Sequence, residues 1–145
     1  MGIPAEHSGQ ACTFTYEVHT RTGYVFVSQS GYAGSEAKVL AMQDDIERAM
    51  SAAGLSAIVF DNRKTEAPPP WLRAIMWSWM GSHLSLARVG LIQQDDASRK
   101  RSMNRATRAW NGISMSWTGR IQIMAFLEER DAEAWVRSPA EAPPA

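Results

Sequence analysis

The chain has 145 residues, of which 45% are hydrophobic and 21% charged, the proportions of an ordinary globular protein rather than a disordered or fibrous one. Its 15 basic and 15 acidic residues cancel, so no overall field favours nucleic acid or an anionic membrane. The single cysteine, Cys12, excludes an internal disulfide, and an unpaired thiol is typical of a reducing compartment. We therefore expect one domain in the cytoplasm.

The sequence carries no recognisable targeting or membrane signal. Residues 1–10 lack the positive flank and apolar run of a secretory leader, and no stretch approaches the roughly 20 apolar residues of a membrane helix. We expect no membrane insertion. The predicted organisation is a flexible start over 1–10, one domain over 11–137, and a disordered Pro- and Ala-rich tail over 138–145.

A hairpin followed by an amphipathic helix is predicted first. Residues 13–20 alternate apolar and polar side chains, and 24–27 resume a β-rich run after a short turn, which indicates two antiparallel strands. Ser35 is a suitable N-cap for the helix that follows. Gly54 is suited to its left-handed end.

The middle of the chain predicts a buried strand, a polar loop and a second helix. Residues 55–60 form a continuous apolar run, typical of a strand covered on both faces. A polar loop is predicted over 61–66, and three prolines lead into a helix over 70–84. Trp71 and Trp77 lie off the apolar stripe of that helix.

The remainder predicts a fourth strand over 87–92, a third helix ending near residue 111, and a fifth strand over 121–127. Asp131 is the predicted cap of a short last helix. The order β-β-α-β-α-β-α-β-α predicts a single α/β domain with a five-stranded mixed sheet, mostly parallel beyond the first hairpin, and helices packed on it.

This order and three local runs resemble the STAS domain, and especially the SpoIIAA-like (anti-sigma-factor antagonist-like) family. The runs are an apolar strand closing on an aspartate, a second apolar strand, and an acidic, alanine-rich turn closing on Trp and an aliphatic residue. They occupy 57–61, 88–92 and 129–136. The resemblance spans nearly the whole chain, from Phe14 to Val136, and implies a non-catalytic bacterial regulator that binds a protein partner.

One departure from the family pattern concerns the switch residue. The family places an Asp-Ser pair, with a phosphorylated serine, where this chain has Asp61-Asn62. The family phosphoacceptor is therefore missing, and Thr65 is its displaced substitute. The resemblance then implies partner binding without that phosphorylation switch.

The candidate partner-binding residues are Asp61, Asn62, Arg63, Thr65 and Trp71. The first four, together with Lys64, follow a strand and precede a helix, where open α/β sheets place ligand contacts. Trp71 opens the second helix, and a tryptophan there is a suitable apolar anchor for a partner. The alternative is an ordinary solvated loop beside a tryptophan that fills the core.

A module for a small ligand, lipid or nucleotide, is the second hypothesis, because the tryptophan-rich second helix could line an apolar pocket against the sheet. An enzyme is the third, and it would require an acid-base pair, which Asp61, Arg63 and His83 could supply only by converging in one cleft. We expect the chain to have no catalytic activity and to bind no cofactor.

Other candidate sites are weak. His7, His19 and His83 lack metal-ligand spacing, so no metal is expected. The basic run that includes Arg101, Arg105 and Arg108 is too small a footprint for nucleic acid. The glycine-flanked segment 31–35 lacks the lysine of a phosphate loop and is interpreted as a turn.

Overall fold

A computed structural model of the chain describes residues 12–82, 86–94 and 104–139. It contains six strands and four helices within those ranges. In chain order they are β1 (Thr15–Arg21), β2 (Tyr24–Gly31), α1 (Glu36–Ala53), β3 (Ala57–Thr65), α2 (Pro70–Ser82), β4 (Arg88–Ile92), α3 (Arg105–Ala109), β5 (Gly112–Thr118), β6 (Ile121–Phe126) and α4 (Glu129–Arg137).

The strands form one mixed sheet in the order β1-β2-β3-β4-β6-β5. The four central strands run parallel, while β1 and β5 pair antiparallel with their neighbours at the two edges. Parallel strands need a crossover between them, and α1 and α2 supply two of these crossovers. The carboxyl ends of β2, β3, β4 and β6 therefore meet at one end of the sheet, here named the carboxyl edge.

One face of the sheet is covered by α1 and α2. Inward-facing residues of β2 and β3 form this first core with the apolar stripe of α1. Met80 of α2 is buried there, and Leu72, Ile75, Met76 and Trp79 are only half-buried. The predicted amphipathic helices are confirmed, with α1 packed more deeply than α2.

The other face is covered by α4. Alternate residues of the same strands pack against Ala132, Trp135 and Val136, and Trp135 is fully buried. Because side chains alternate between faces along a strand, a strand covered on both faces must be apolar at nearly every position. This explains why all six residues of β6 are buried.

The single mixed α/β domain is confirmed, but the predicted count of five strands is wrong. Residues 112–118, for which the sequence predicted no element, form the edge strand β5. It pairs with β6 across a tight turn at Gly119, whose φ of 59° lies in the left-handed region. The helix α3 begins after Asn104, which caps it through its side chain, and the predicted start of the third helix at Asp95 or Asp96 lies outside the described residues.

The third strand is also longer than predicted. The apolar run was expected to end at Asp61, yet β3 continues through Thr65. Its polar end pairs with β2, which itself extends to Gly31. The predicted loop over 61–66 is therefore mostly strand, because long-range pairing with β2 supplies hydrogen bonds that local sequence does not reveal.

Both predicted caps of α1 are confirmed, and α2 begins at Pro70 as predicted. Ser35 accepts a hydrogen bond from the Lys38 amide, and Gly54 takes the left-handed conformation, with φ of 65°. The last helix begins earlier than predicted, after Glu128, so Asp131 lies inside its first turn rather than at the cap. None of the described helices combines the length and hydropathy needed to cross a bilayer.

Arg88 fastens β4 to the end of α4. Its side chain is only 3% exposed, and Nη1 donates to the carbonyl oxygen of Trp135 at 2.6 Å and to Oγ of Ser138 at 2.6 Å. The guanidinium also lies over the Trp135 ring, 4.7 Å from its centroid. Ser138, the first residue of the predicted tail, is thus bonded to the domain.

Gly31 ends β2 where the chain passes close to Thr13. Its φ is 84°, and a Cβ there would collide with the carbonyl group of Thr13. The amide of Thr13 donates to the Tyr32 carbonyl oxygen at 3.1 Å, which brings these two segments together. Only glycine satisfies both the backbone conformation and the close approach.

Replacing Arg88 with methionine keeps most of the stem volume but removes the hydrogen bonds to Trp135 and Ser138. We expect Arg88→Met to lower the free energy of unfolding by about 2 kcal/mol, because bonds from a buried charged donor are lost. Urea denaturation checks this value. The control Arg105→Met removes an exposed arginine and should change stability by less than about 0.5 kcal/mol; equal losses in both variants would contradict the role of Arg88.

Gly31→Ala should destabilise the domain by about 3 kcal/mol or more, since backbone strain and a steric clash add together. Gly54→Ala is the matched control: Gly54 also has a positive φ, but a Cβ there would meet open space. We expect Gly54→Ala to lower the free energy of unfolding by only about 1 kcal/mol. Melting temperatures of the two variants measure the difference, and equal shifts would exclude a special close approach at Gly31.

Candidate functional site

A cleft opens at the carboxyl edge, between the sheet, α1 and α2. Its volume is about 920 Å³, which lies within the range of small-molecule sites in proteins. The cleft is bounded by the ends of β2 and β3 and by the residues that follow β4. It therefore occupies the place where open α/β sheets with parallel strands bind ligands.

The lining of the cleft divides into an apolar floor and a polar rim. Phe60, Leu91 and two methionines, Met42 and Met76, contribute to the floor. The polar residues that line the cleft are Gln29, Asn62, Thr65, Glu66, Arg73, Gln93 and Gln94. Such a site can hold a molecule that has an apolar body and a polar end.

A β-bulge divides the predicted site residues of β3 between the two faces of the sheet. The single residue Gln29 of β2 lies opposite two residues of β3, Asn62 and Arg63, so β3 carries one extra residue at this point. An extra residue reverses the alternation of side chains along the strand. As a result both Asn62 and Thr65 line the cleft.

Asp61 and Arg63 form an ion pair away from the cleft. The guanidinium donates from Nε to Oδ1 at 2.9 Å and from Nη2 to Oδ2 at 2.8 Å, and the Arg63 amide also donates to Oδ1. Asp61 follows Ala57 and Val59 in alternation, and these pack under α4. The pair therefore lies on the α4 side of the carboxyl edge.

The electrostatics of this pair favour both charged forms. Partial burial alone would raise the pKa of Asp61, but the hydrogen bonds from Arg63 and the charges of Arg63 and Lys64 outweigh it and lower that pKa. The hydrogen bond to Asp61 raises the pKa of Arg63. Arg63 keeps 43% of its side chain exposed, so a charged group of fixed orientation faces solvent.

Asn62 and Thr65 are held on the cleft side by local hydrogen bonds. Gln29 Nε2 donates to Oδ1 of Asn62 at 2.6 Å. The Thr65 hydroxyl donates to the Asn62 carbonyl oxygen at 2.8 Å, and Gln94 Nε2 donates to the Arg63 carbonyl oxygen at 2.9 Å. These bonds join the ends of β2 and β3 and the residues after β4 into one polar rim.

The two tryptophans that lie off the stripe of α2 are both partly open to solvent. Trp71, in the first turn, is half-buried and is absent from the side chains that pack against either core. Trp77 is 43% exposed and lines the cleft. The predicted position of Trp71 at the start of α2 is therefore compatible with an apolar contact surface.

Polar contacts to α1 hold α2 over the cleft. Trp79 Nε1 donates to Oε1 of Glu47 at 2.7 Å, and Gln43 Nε2 donates to Sδ of Met76 at 3.2 Å. Only Met80 of this helix is buried. Most inward side chains of the helix are only half-buried, and space remains between α2 and the sheet, which is the cleft.

Several of the other sequence candidates lie outside the described residues. His19, the only histidine in the described part, lies on β1 with Nε2 3.8 Å from Glu17, while His7, His83 and Arg101 lie outside the described residues. The described ranges hold no group of three or more His, Cys, Asp or Glu that could bind a metal. In the glycine-flanked turn, the Tyr32 amide donates to Thr13 Oγ1 at 2.9 Å, as expected of a structural turn.

The sequence interpretation missed the glutamines of the rim and Arg73. Gln93 and Gln94 directly follow β4, whose apolar run was recognised. Because β4 is parallel to β3, its end must lie beside Asn62. The signal was therefore present in the polar pair after the fourth strand, but its use required the strand order.

Comparison with known proteins finds matches among solved structures only. No protein-family model and no curated protein matches the chain. An anti-sigma factor antagonist from Mycobacterium paratuberculosis superposes with a TM-score of 0.56 at 16% identity, covering 95% of this chain and 100% of that one. An uncharacterised protein with a SpoIIAA-like fold from Shewanella loihica gives a TM-score of 0.55 at 17% identity, covering 88% and 96%.

Both likenesses extend over most of each chain. Identities this low show a common fold and leave the function of this chain open. The resemblance found in the sequence is thereby confirmed at the level of architecture: the chain has a STAS-type, SpoIIAA-like fold.

Proposed function

We propose that the chain is a non-catalytic, cytoplasmic interaction module that binds a partner protein through Asp61, Asn62, Arg63, Thr65 and Trp71. The observation that carries the proposal is the presence, at one edge of the sheet, of a fixed and exposed guanidinium together with a tryptophan that packs against neither core.

The Arg63 side chain is suited to recognition of an acidic group. Asp61 engages Nε and Nη2, and a guanidinium has five N–H donors, so further donors remain for a partner. Because Asp61 already restricts the rotamer of Arg63, little side-chain entropy remains to be lost on binding. Arginine is also one of the residue types that dominate binding energy at interfaces.

Trp71 supplies the apolar part of the surface. A half-buried tryptophan at an interface buries a large area at a low cost in conformational entropy. Arg63 borders the carboxyl edge from the α4 side, and Trp71 borders it from the α2 side. A partner that contacts both must therefore lie across the edge, over the polar rim that contains Asn62 and Thr65.

A regulatory role without catalysis agrees with the fold and with the hydrogen bonds that the Asp61 carboxylate accepts. The solved structure from M. paratuberculosis is named as an anti-sigma factor antagonist, and the shared fold supports a protein partner here. Asp61 accepts three hydrogen bonds from Arg63, so its oxygens are engaged in holding the arginine rather than in proton transfer.

Removing both anchors should abolish partner binding while the domain stays folded. We expect Arg63→Ala combined with Trp71→Ala to lose the proteins that co-purify stoichiometrically with the tagged wild-type chain from its native cell. Quantitative mass spectrometry of the purified material measures the loss, and circular dichroism and the melting temperature report folding.

The matched control combines Trp117→Ala with Arg120→Ala. These are also a half-buried tryptophan and an exposed arginine, but they lie beside the start of β6, at the opposite end of the sheet from the carboxyl edge. This control should retain the partner. A partner retained by the first pair of substitutions, or lost equally in both, would refute the assignment of the surface.

A further inference from the structure

The cleft under α2 has a chemical character distinct from that of the partner surface. Neither Arg63 nor Trp71 lines it. Its floor is formed by side chains of β3, β4 and α1 with the inner face of α2, and three of these are methionines, Met42, Met76 and Met80. Methionine is flexible and polarisable, so such a floor adapts to a range of apolar shapes.

One cation lies at the mouth of this apolar space. Arg73, near the start of α2, is exposed and lines the cleft. Within the described part of the chain it takes part in no ion pair. Its long stem can lie along the apolar wall while its charge stays in water, where it can meet the charged end of a ligand.

We propose that the cleft is a binding site for an amphipathic monocarboxylate, an acyl chain ending in a single carboxylate. The acyl chain occupies the apolar floor between Phe60, Leu91 and α2, and the carboxylate meets the Arg73 guanidinium. A cleft of about 920 Å³ is large enough to enclose most of such a molecule. This site shares the rim residues Asn62 and Thr65 with the proposed partner surface but includes neither Arg63 nor Trp71, and it does not depend on partner binding.

The polar rim is consistent with one anionic head. Carboxamides of Gln29, Asn62, Gln93 and Gln94 contribute N–H donors and carbonyl acceptors there without net charge. Glu66 also lines the cleft, and its carboxylate opposes an anion. The preference for an anionic head group therefore requires the charge of Arg73 to outweigh that of Glu66.

Three probes with the same tail and different head groups measure which head group the cleft prefers. Decanoate, decanol and decylamine are titrated into the full chain below their critical micelle concentrations, by isothermal calorimetry, with tryptophan emission as a second readout. We expect saturable one-to-one binding of decanoate with a negative heat-capacity change, the marker of apolar burial. Decanoate should bind more tightly than decanol, and decylamine more weakly than either.

Variants assign the head group and the tail. Arg73→Met should weaken decanoate binding about three- to five-fold, the size of one solvent-exposed charge pair, and change decanol binding less than about two-fold. Glu66→Gln should leave decanoate binding unchanged or tighter. Leu91→Trp fills the floor and should weaken decanoate and decanol alike by about ten-fold; Met76→Trp fills it from α2 if the first variant does not fold.

The matched control is Arg120→Met, which removes an exposed arginine at the opposite end of the sheet and should leave decanoate binding unchanged. Lack of saturable decanoate binding would overturn the proposal, as would decylamine binding at least as tightly as decanoate, or Arg73→Met weakening decanoate and decanol equally. Since none of these titrations includes a protein partner, failure here is distinguishable from failure of the proposed interaction surface.

Discussion

Burial of the central sheet on both faces is the constraint on which the rest of this structure depends. The parallel strands β2, β3, β4 and β6 must be apolar at nearly every position, because α1 and α2 cover one face and α4 covers the other. Their polar residues are consequently displaced to the strand ends. Parallel pairing then collects those ends at a single edge, and this is why the polar rim, the ion pair and the cleft all lie there.

The two faces of the sheet are covered unequally. On one side Trp135 is fully buried and Arg88 bonds the end of α4 to β4, which makes that side a well-packed support. On the other side α2 has a single buried residue, Met80, and its polar contacts reach α1 rather than the sheet. A rigid scaffold on one face and a loosely covered cleft on the other are typical of proteins that bind ligands or partners at an edge.

The β-bulge in β3 connects the fold with the site. Without the extra residue opposite β2, Thr65 would face the α4 side with Asp61 and Arg63; with it, Thr65 joins Asn62 in the cleft. One short polar segment thus serves two surfaces. The segment stays ordered because Arg63 bonds Asp61, Thr65 bonds Asn62, and Gln94 reaches across from the end of β4, so the proposed partner surface and the proposed ligand site are joined by a common rim.

Local pattern in the amino-acid sequence was enough for the hairpin, the caps of α1, the doubly covered third strand and the order that indicates a STAS-like α/β domain, because each rests on residues near one another in the chain. Tertiary pairing was needed for the remainder. β5 becomes a strand by pairing with β6, residues 61–65 become strand rather than loop by pairing with β2, and Gln29, Arg73 and Gln94 meet around the cleft only after the crossovers have folded. The pairing of residues 61–65 with β2 and the meeting of side chains around the cleft join residues far apart in sequence, and hydrogen bonds to a distant strand leave no local periodicity from which they could be recognised.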